Sequence, residues 1–322
     1  MKRVFEFEGC EEEPEIKRAT KSLTKWPVCA PTPQHHWTED YGSQSPMAEQ
    51  EVEADIFPSN SKDNDASAHD FYDQFIARTA EQCAEEGAAP QRSLLWKNAR
   101  RFSITASDFG AALGTNAYSS PDDLVKKKVW DTFVGNQATK WGCKQEKNAA
   151  EAFGEWAKSN IAPDAELHEF NLLKFSAIPW IAVSPDGFVT YTDQEGNKVA
   201  DLVEYKCPTR TQTETHPYER YDKSTPPYYR DQMMGICGYL NSHGGATING
   251  TQFILRHAWF VVWQPQKLWI VMHSVDEDEW ARRIFPGLRS WYFKKLLPAF
   301  VWRHNNRLEK DEIVPSSMPI EL

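Results

Sequence analysis

The sequence predicts an α/β fold in which a central mixed β-sheet is flanked by helices. Three observations predict it. Runs of helical period and runs of strand period alternate through the middle and end of the 322 residues. Leu202-Val203-Glu204-Tyr205-Lys206 carries apolar side chains on both of its alternating faces, which marks an interior strand. Gln194-Glu195-Gly196-Asn197 is a turn between two such runs and folds them into a hairpin.

Each element follows in chain order. Residues 1–68 hold Glu11-Glu12-Glu13, scattered prolines and Ser59-Asn60-Ser61-Lys62-Asp63-Asn64-Asp65, with no lasting apolar period. Burial there cannot offset the entropy of ordering, so an acidic, disordered arm is expected, with a partner-binding or autoinhibitory arm as the alternative. A folded body is expected over 69–300. Phe71, Phe75 and Ile76 open it as a short helix. Thr105 caps a second helix with Asp108 reaching back, and Pro121-Asp122-Asp123 starts a third that ends near Trp130. A longer helix covers about 139–158. Strands are expected at 167–175, at 180–191 with a break at Ser184-Pro185-Asp186-Gly187, and at 199–206. An irregular loop over 208–225 leads to a helix over 227–242. Strands at 253–263 and 268–273, a helix over 276–297 and a tail over 301–322 complete the chain.

Composition narrows the function. The net charge of −10 does not advertise a nucleic-acid binder. Residues 1–65, however, hold 14 acids against 7 Lys/Arg, which leaves 32 against 29 for the rest. A nearly balanced body has room for a local basic groove. The six cysteines contain no CxxC, so free thiols are expected rather than a disulfide framework or a zinc site. No apolar run is long enough to span a bilayer, and the start lacks a signal-peptide core. A soluble, intracellular protein without membrane contact is expected.

The chemistry gathers on the interior strand. Leu202, Glu204 and Lys206 share one face, and burying Glu and Lys there is costly without partners. A structural Glu–Lys pair would satisfy them. Eighteen residues upstream, however, Asp186 ends a strand, and the hairpin brings it beside Glu204. Pro185-Asp186 with Glu204-Tyr205-Lys206 has the form PD…(D/E)xK. Two hard carboxylates suit Mg²⁺, with Mn²⁺ as substitute, and a lysine on the same face can neutralise charge on a phosphate. On the helix over 139–158, Glu146 falls in the stripe Gly142, Ala149, Ala150, Phe153 and Ala157, and a carboxylate there needs a cation. On the helix over 227–242, Gln232 is the polar member of the face Tyr229, Met233, Ile236 and Leu240. It reads either as a satisfied core amide or as a site residue.

In order and spacing these residues resemble the lambda-exonuclease-like, or YqaJ-type viral recombinase, branch of the PD-(D/E)xK nucleases. The resemblance runs over about 91–275. It rests on Trp96, Arg100 and Ile104-Thr105-Ala106-Ser107, on Trp141-Gly142 with Glu146, on Ser184-Pro185-Asp186-Gly187 and on Glu204 to Pro208. Tyr229 with Gln232 and Phe260-Val261-Val262-Trp263 complete it. It implies a restriction-endonuclease-like core. It also implies Asp186, Glu204 and Glu146 as metal ligands, Lys206 as catalytic lysine, Gln232 as a catalytic support and Tyr229 in the site lining. Arg100, Ser107 and Ser184 would take the 5′ phosphate. Ser107, in the first turn of an expected helix, is also placed to meet an anion on free N–H groups.

The expected activity is a Mg²⁺-dependent exonuclease that resects linear double-stranded DNA from the 5′ end. The alternatives are an endonuclease with the same centre and a non-catalytic scaffold that binds DNA ends. Expected partners are double-stranded DNA ends, a single-strand-annealing recombination protein and further copies of the chain in a ring. Lys126, Lys127, Lys128, Lys140, Lys144, Arg210, Arg220 and Arg230 are candidate backbone contacts. No base-reading module and no phosphate-cradling Gly-rich loop occur, so little sequence selectivity and no ATP hydrolysis are expected.

Overall fold

The computed structural model describes residues 3–6, 66–91, 93–130, 137–209 and 215–306. Strand β1 is Arg3–Glu6. Helix α1, Ala68–Phe75, starts at a capping box in which Ser67 and Asp70 satisfy each other's backbone N–H. Helix α2, Ala80–Ala88, repeats the device with Thr79 and Gln82, and Ser93 caps α3, Leu94–Arg101. Strand β2, Ile104–Thr105, leads into a 3-10 turn, Ala106–Asp108, and a single α-turn, α4, Phe109–Ala112. Helices α5, Pro121–Trp130, and α6, Gln137–Asn160, follow. The strands β3 Glu166–His168, β4 Ile181–Ala182, β5 Gly187–Thr192 and β6 Lys198–Lys206 then precede α7, Pro227–Asn241. A small hairpin of β7 Ala246–Ile248 and β8 Thr251–Phe253 comes before the long pair β9 His257–Gln264 and β10 Lys267–Ser274. The chain closes in one helical run: α8 Glu277–Glu279, α9 Phe285–Trp291 and α10 Leu297–Asn305, joined by π-helical turns at Trp280–Ile284 and Tyr292–Leu296. Pro286 and Pro298 each follow a π-turn closely, where a missing N–H loosens the α-ladder.

The main sheet has the order β1-β10-β9-β6-β5-β3. Every pair in it is antiparallel except β6 with β9, so the sheet is mixed. β6 is interior, as the apolar character of both its faces predicts. Val203 and Tyr205 pack under α6 with Ala149, Phe153 and Ala157. Ala200 and Leu202 share the other core with Met233, Ile236 and Cys237 of α7. The α-turn α4 lies so close to α7 that a Cβ at Gly235 would stand 2.4 Å from the Phe109 ring. Gly235→Ala should therefore destabilise the fold by about 1–3 kcal/mol through overpacking, read as a fall in thermal midpoint with α-helical content preserved.

Several expectations need correction. Arg3–Glu6, assigned by composition to the arm, is the edge strand beside β10. The rest of that arm, residues 7–65, lies outside the described residues, as do Cys10 and Cys29. The C-terminal helix continues through 301–305, the start of the segment expected to be a partly ordered tail. It is tied back to the start of the body where Asn305 Oδ1 accepts from Ala66 N–H at 3.1 Å and Asn305 Nδ2 donates to Ala66 O at 3.0 Å. Of the expected strand over 167–175, only Glu166–His168 joins the main sheet, while Leu173 bridges Val183. Cys83, Cys143, Cys207 and Cys237 are free thiols. Among the described residues no helix is long and apolar enough to cross a membrane.

Candidate active site

The β5–β6 hairpin pairs Gly187 with Val203, which sets Asp186 beside the end of β6. Asp186 Oδ2 accepts from the Tyr205 backbone N–H at 2.9 Å. On β6, Glu204 and Lys206 share the face turned to α7. Glu204 Oε1 accepts from Gln232 Nε2 at 2.6 Å and is also in contact with Lys206 Nζ. The Lys206 ammonium stands 4.6 Å from the centroid of the Tyr229 ring, which offers it a π face. The structure thus brings together Asp186, Glu204, Lys206, Tyr229 and Gln232 from the residue before one strand, the end of another and one helix.

The electrostatics separate this cluster from a structural ion pair. Glu204 is 1% exposed, and its Oε2 is buried with no hydrogen-bond donor. Burial, then the neighbouring Asp186, push the Glu204 pKa up against the pull of Lys206. Asp186 is also shifted up, chiefly by burial. Burial opposes the charge on Lys206, but Glu204 and Asp186 outweigh it and hold its pKa above the ordinary lysine value. Asp201, three residues earlier on the same strand, shows what a satisfied buried carboxylate looks like. Its Oδ2 accepts from Tyr191 Oη at 2.8 Å and Trp259 Nε1 at 3.0 Å, and its Oδ1 from the His257 backbone N–H at 3.2 Å. Asp201 has donors on both of its oxygens, whereas Glu204 has them on Oε1 alone and lies beside the Asp186 carboxyl group. Two carboxylates that repel each other, one with an unmatched lone pair, fit a hard divalent cation, and Mg²⁺ commonly uses one or two protein carboxylates and fills its shell with water and phosphate oxygen.

Glu146 comes from α6 rather than from the hairpin, and it lines the same cleft as Lys206. Among the described residues no three His, Cys, Asp or Glu side chains gather into a metal-holding group. Glu146 is half-buried on α6, on the far side of the sheet from α7, and its charge acts on Cys207, whose thiol pKa is raised by burial first and by Glu146 and Asp186 after it.

These residues meet an open cleft of about 2070 Å³. Lys206, Tyr205, Tyr229, Cys207 and Glu146 line it, and Glu204, in contact with Lys206, is buried next to that lining. Its walls carry eight basic side chains, Lys97, Arg100, Arg101, Lys127, Lys128, Lys206, Arg220 and Arg303, against two acids, Asp108 and Glu146. A chain of net charge −10 therefore presents a positive groove at its candidate site.

The remaining sequence-predicted residues are distributed unevenly. Arg100 lines the cleft with its guanidinium 4.0 Å from the centroid of the Trp96 ring. Ser107 is exposed on the same wall, its hydroxyl 3.3 Å from that of Thr105. The helix it was expected to open is only a 3-10 turn and one α-turn, too short for an appreciable dipole. Ser184 precedes Asp186 with its hydroxyl buried and unpartnered. Lys127 and Lys128 face the cleft but are paired with Asp108 at 3.8 and 3.0 Å, and Arg230 is engaged by Glu279. Lys126, Lys140 and Lys144 are exposed outside the cleft lining, and Arg210 lies outside the described residues. Lys97, Arg303 and Tyr218 also line the cleft, and of these only Tyr218 has a signal in the sequence, a loop dense with tyrosine.

Residues 95–237 match the family model of the YqaJ-like viral recombinase domain, inside the range over which the motifs resemble it. Among curated proteins none matches. The chain is similar to the solved structure of LHK-Exo, an alkaline exonuclease from Laribacter hongkongensis, at 20% identity and a TM-score of 0.45, over 67% of this chain and 97% of that one. The complex of LHK-Exo with dAMP gives 18% and 0.47 over the same shares. The shutoff and exonuclease protein of Kaposi's sarcoma-associated herpesvirus gives 11% and 0.39, over 74% of this chain and 76% of that one.

Proposed function

We propose, from a chain whose residues 95–237 match the YqaJ-like viral recombinase domain, that the protein is a Mg²⁺-dependent deoxyribonuclease that resects linear duplex DNA from its 5′ ends. One observation carries this reading. The paired carboxyl groups of Asp186 and Glu204, the second in contact with Lys206, adjoin a cleft whose walls carry eight basic side chains against two acids. Asp186 and Glu204 would hold the cation, and when bound it supplies Lewis-acid stabilisation of charge on the scissile phosphate.

The protein's own groups do the rest. Lys206 is held in its charged form by its two carboxylate neighbours, so it acts as a fixed cation toward the phosphate rather than as a base. Gln232 and Tyr229 fix its position, the first through the shared Glu204 Oε1 and the second through its ring. Arg100, Ser107 and Ser184 are the candidates for the terminal 5′ phosphate. Trp96 stacks on the Arg100 guanidinium and limits its freedom, which favours a planar, two-pronged grip on a phosphate. With no base-reading element, binding should be chiefly to the backbone and should weaken steeply with salt.

The test uses linear duplexes with 5′-phosphate, 5′-hydroxyl or blocked 5′ ends beside covalently closed circles, each with Mg²⁺ and with EDTA. Release of nucleotides from linear DNA alone, abolished by EDTA and fastest from the 5′-phosphate, is expected. Cutting of closed circles would convert the reading to an endonuclease. No metal-dependent hydrolysis of any substrate would end it in favour of a DNA-end-binding scaffold.

A further inference from the structure

We propose that Tyr118, clasped by Arg220 at the rim of the cleft, is a stacking platform for an unpaired or terminal base of the DNA; this rests on the nuclease reading above. Tyr118 lies between α4 and α5 and is 71% exposed, an unusual place to leave an aromatic ring. It is not loose. Arg220, more than 100 residues along the chain, donates from Nη2 to the Tyr118 hydroxyl at 2.6 Å and to the Tyr221 hydroxyl at 2.8 Å. The same guanidinium sits 4.8 Å from the centroid of the Tyr221 ring. Both Tyr118 and Arg220 line the cleft that holds Lys206.

The ring is also connected to the site. Tyr118 meets Tyr228 edge to face at 6.1 Å, Tyr228 meets Tyr229 at 4.4 Å, and Tyr229 carries the Lys206 ammonium on its ring. A row of tyrosines therefore runs from the candidate catalytic lysine to an exposed aromatic surface. Bases inside a duplex are covered on both faces by their neighbours, so only an unpaired or end base can use such a surface. Stacking of that kind is tolerant of sequence, because every base has a π face, and an adjacent arginine adds attraction to the phosphate chain. The geometry thus supplies a grip on a frayed end close to the reacting phosphate, which a groove of basic side chains alone does not.

The experiment measures anisotropy of a labelled duplex with a short unpaired end, in EDTA, with the full chain and with Tyr118→Ala and Tyr118→Phe. Single abasic substitutions are scanned through the last nucleotides. Tyr118→Ala should weaken binding roughly ten-fold, while Tyr118→Phe, which keeps the ring and loses the bond to Arg220, should stay near wild type. One abasic position should weaken wild type to a similar degree and add nothing to Tyr118→Ala. Equal loss in both variants would make Tyr118 a structural tie and overturn the proposal. So would an abasic scan in which no position couples to Tyr118. Tyr118→Leu, which removes the aromatic face and keeps apolar bulk, carries the same coupling test if Tyr118→Ala folds poorly. Hydrolysis of the same duplex with Mg²⁺ separates the two levels: a hydrolysing enzyme without coupling removes only the platform, and a protein that never hydrolyses DNA removes the nuclease reading itself.

Discussion

Lys206→Ala is expected to lower the initial rate on linear duplex DNA by roughly 10²–10³-fold at saturating Mg²⁺, the usual cost of removing a preorganised donor aimed at developing charge. The loss should not be recovered by more Mg²⁺, because Lys206 is a fixed positive group that itself lines the cleft and does not depend on metal occupancy. Lys206→Arg should restore little, since a planar fork cannot occupy the place of a point charge set between Glu204 Oε1 and the Tyr229 ring. Gln232→Ala should cost less, because the Glu204 oxygen it serves retains Lys206 as a second partner. Single-turnover rates across the three variants would check this order. A Lys206→Ala protein that turns over within a few-fold of wild type would remove Lys206 from the centre.

The second large effect concerns stability and lies on the cleft wall. Asp108 is 5% exposed. Burial works against its charge, but Lys128 at 3.0 Å, Lys127 at 3.8 Å and the Thr105 hydroxyl at 2.6 Å outweigh that and hold its pKa at about 2. The folded value lies below the ordinary 3.8, so the unfolded chain binds the proton more readily. The contribution is present above about pH 4 and is lost as pH falls from about 4 to about 2, amounting to about 2 kcal/mol. Asp108→Asn should cost more at neutral pH, roughly 3–5 kcal/mol, because it strands Lys128 without its partner. Adding Lys128→Met should return part of that loss. Urea unfolding of the wild type between pH 2 and 7, with the single and double variants at pH 7, checks both statements. A wild type equally stable at pH 2.5 and 5 would contradict the first.

Legibility in the sequence followed the range of the interactions. The face shared by Leu202, Glu204 and Lys206 and the turn at Gly196 are local, and the residues around them alone predict the β5–β6 hairpin that joins Asp186 to Glu204. The helix opened by Pro227 was equally plain. Helix α2 has little sequence signal because Ala80–Ala88 is rich in Glu and Ala with little apolar period, and the caps at Thr79 and Ser93 are the local marks of α2 and α3. Strand β1 was illegible because its partner, Lys267–Ile270, lies at the other end of the chain. The stripe of Ala149, Phe153 and Ala157 faces Val203 and Tyr205, the side of the sheet opposite Gln232, while Glu146, earlier on the same helix, lines the cleft with Lys206. Periodicity identifies a buried face without telling which face of a sheet it meets. The unmatched Glu204 oxygen, and the gathering of eight basic residues from distant segments, belong to the assembled molecule only.

The hairpin between β5 and β6 also bears on how the chain acquires its site. Its turn is short, so it can form early at little loop-closure cost. The parallel pairing of β6 with β9 must wait until α7 and the small β7–β8 hairpin have been threaded between them. Asp186 and Glu204 would then meet while both are still hydrated. The desolvation of the two carboxyl groups falls late, when Gln232 arrives on α7 and closes over Glu204. Substitutions that relieve this burial, such as Glu204→Gln, should therefore act mainly on the unfolding rate and leave the folding rate nearly unchanged.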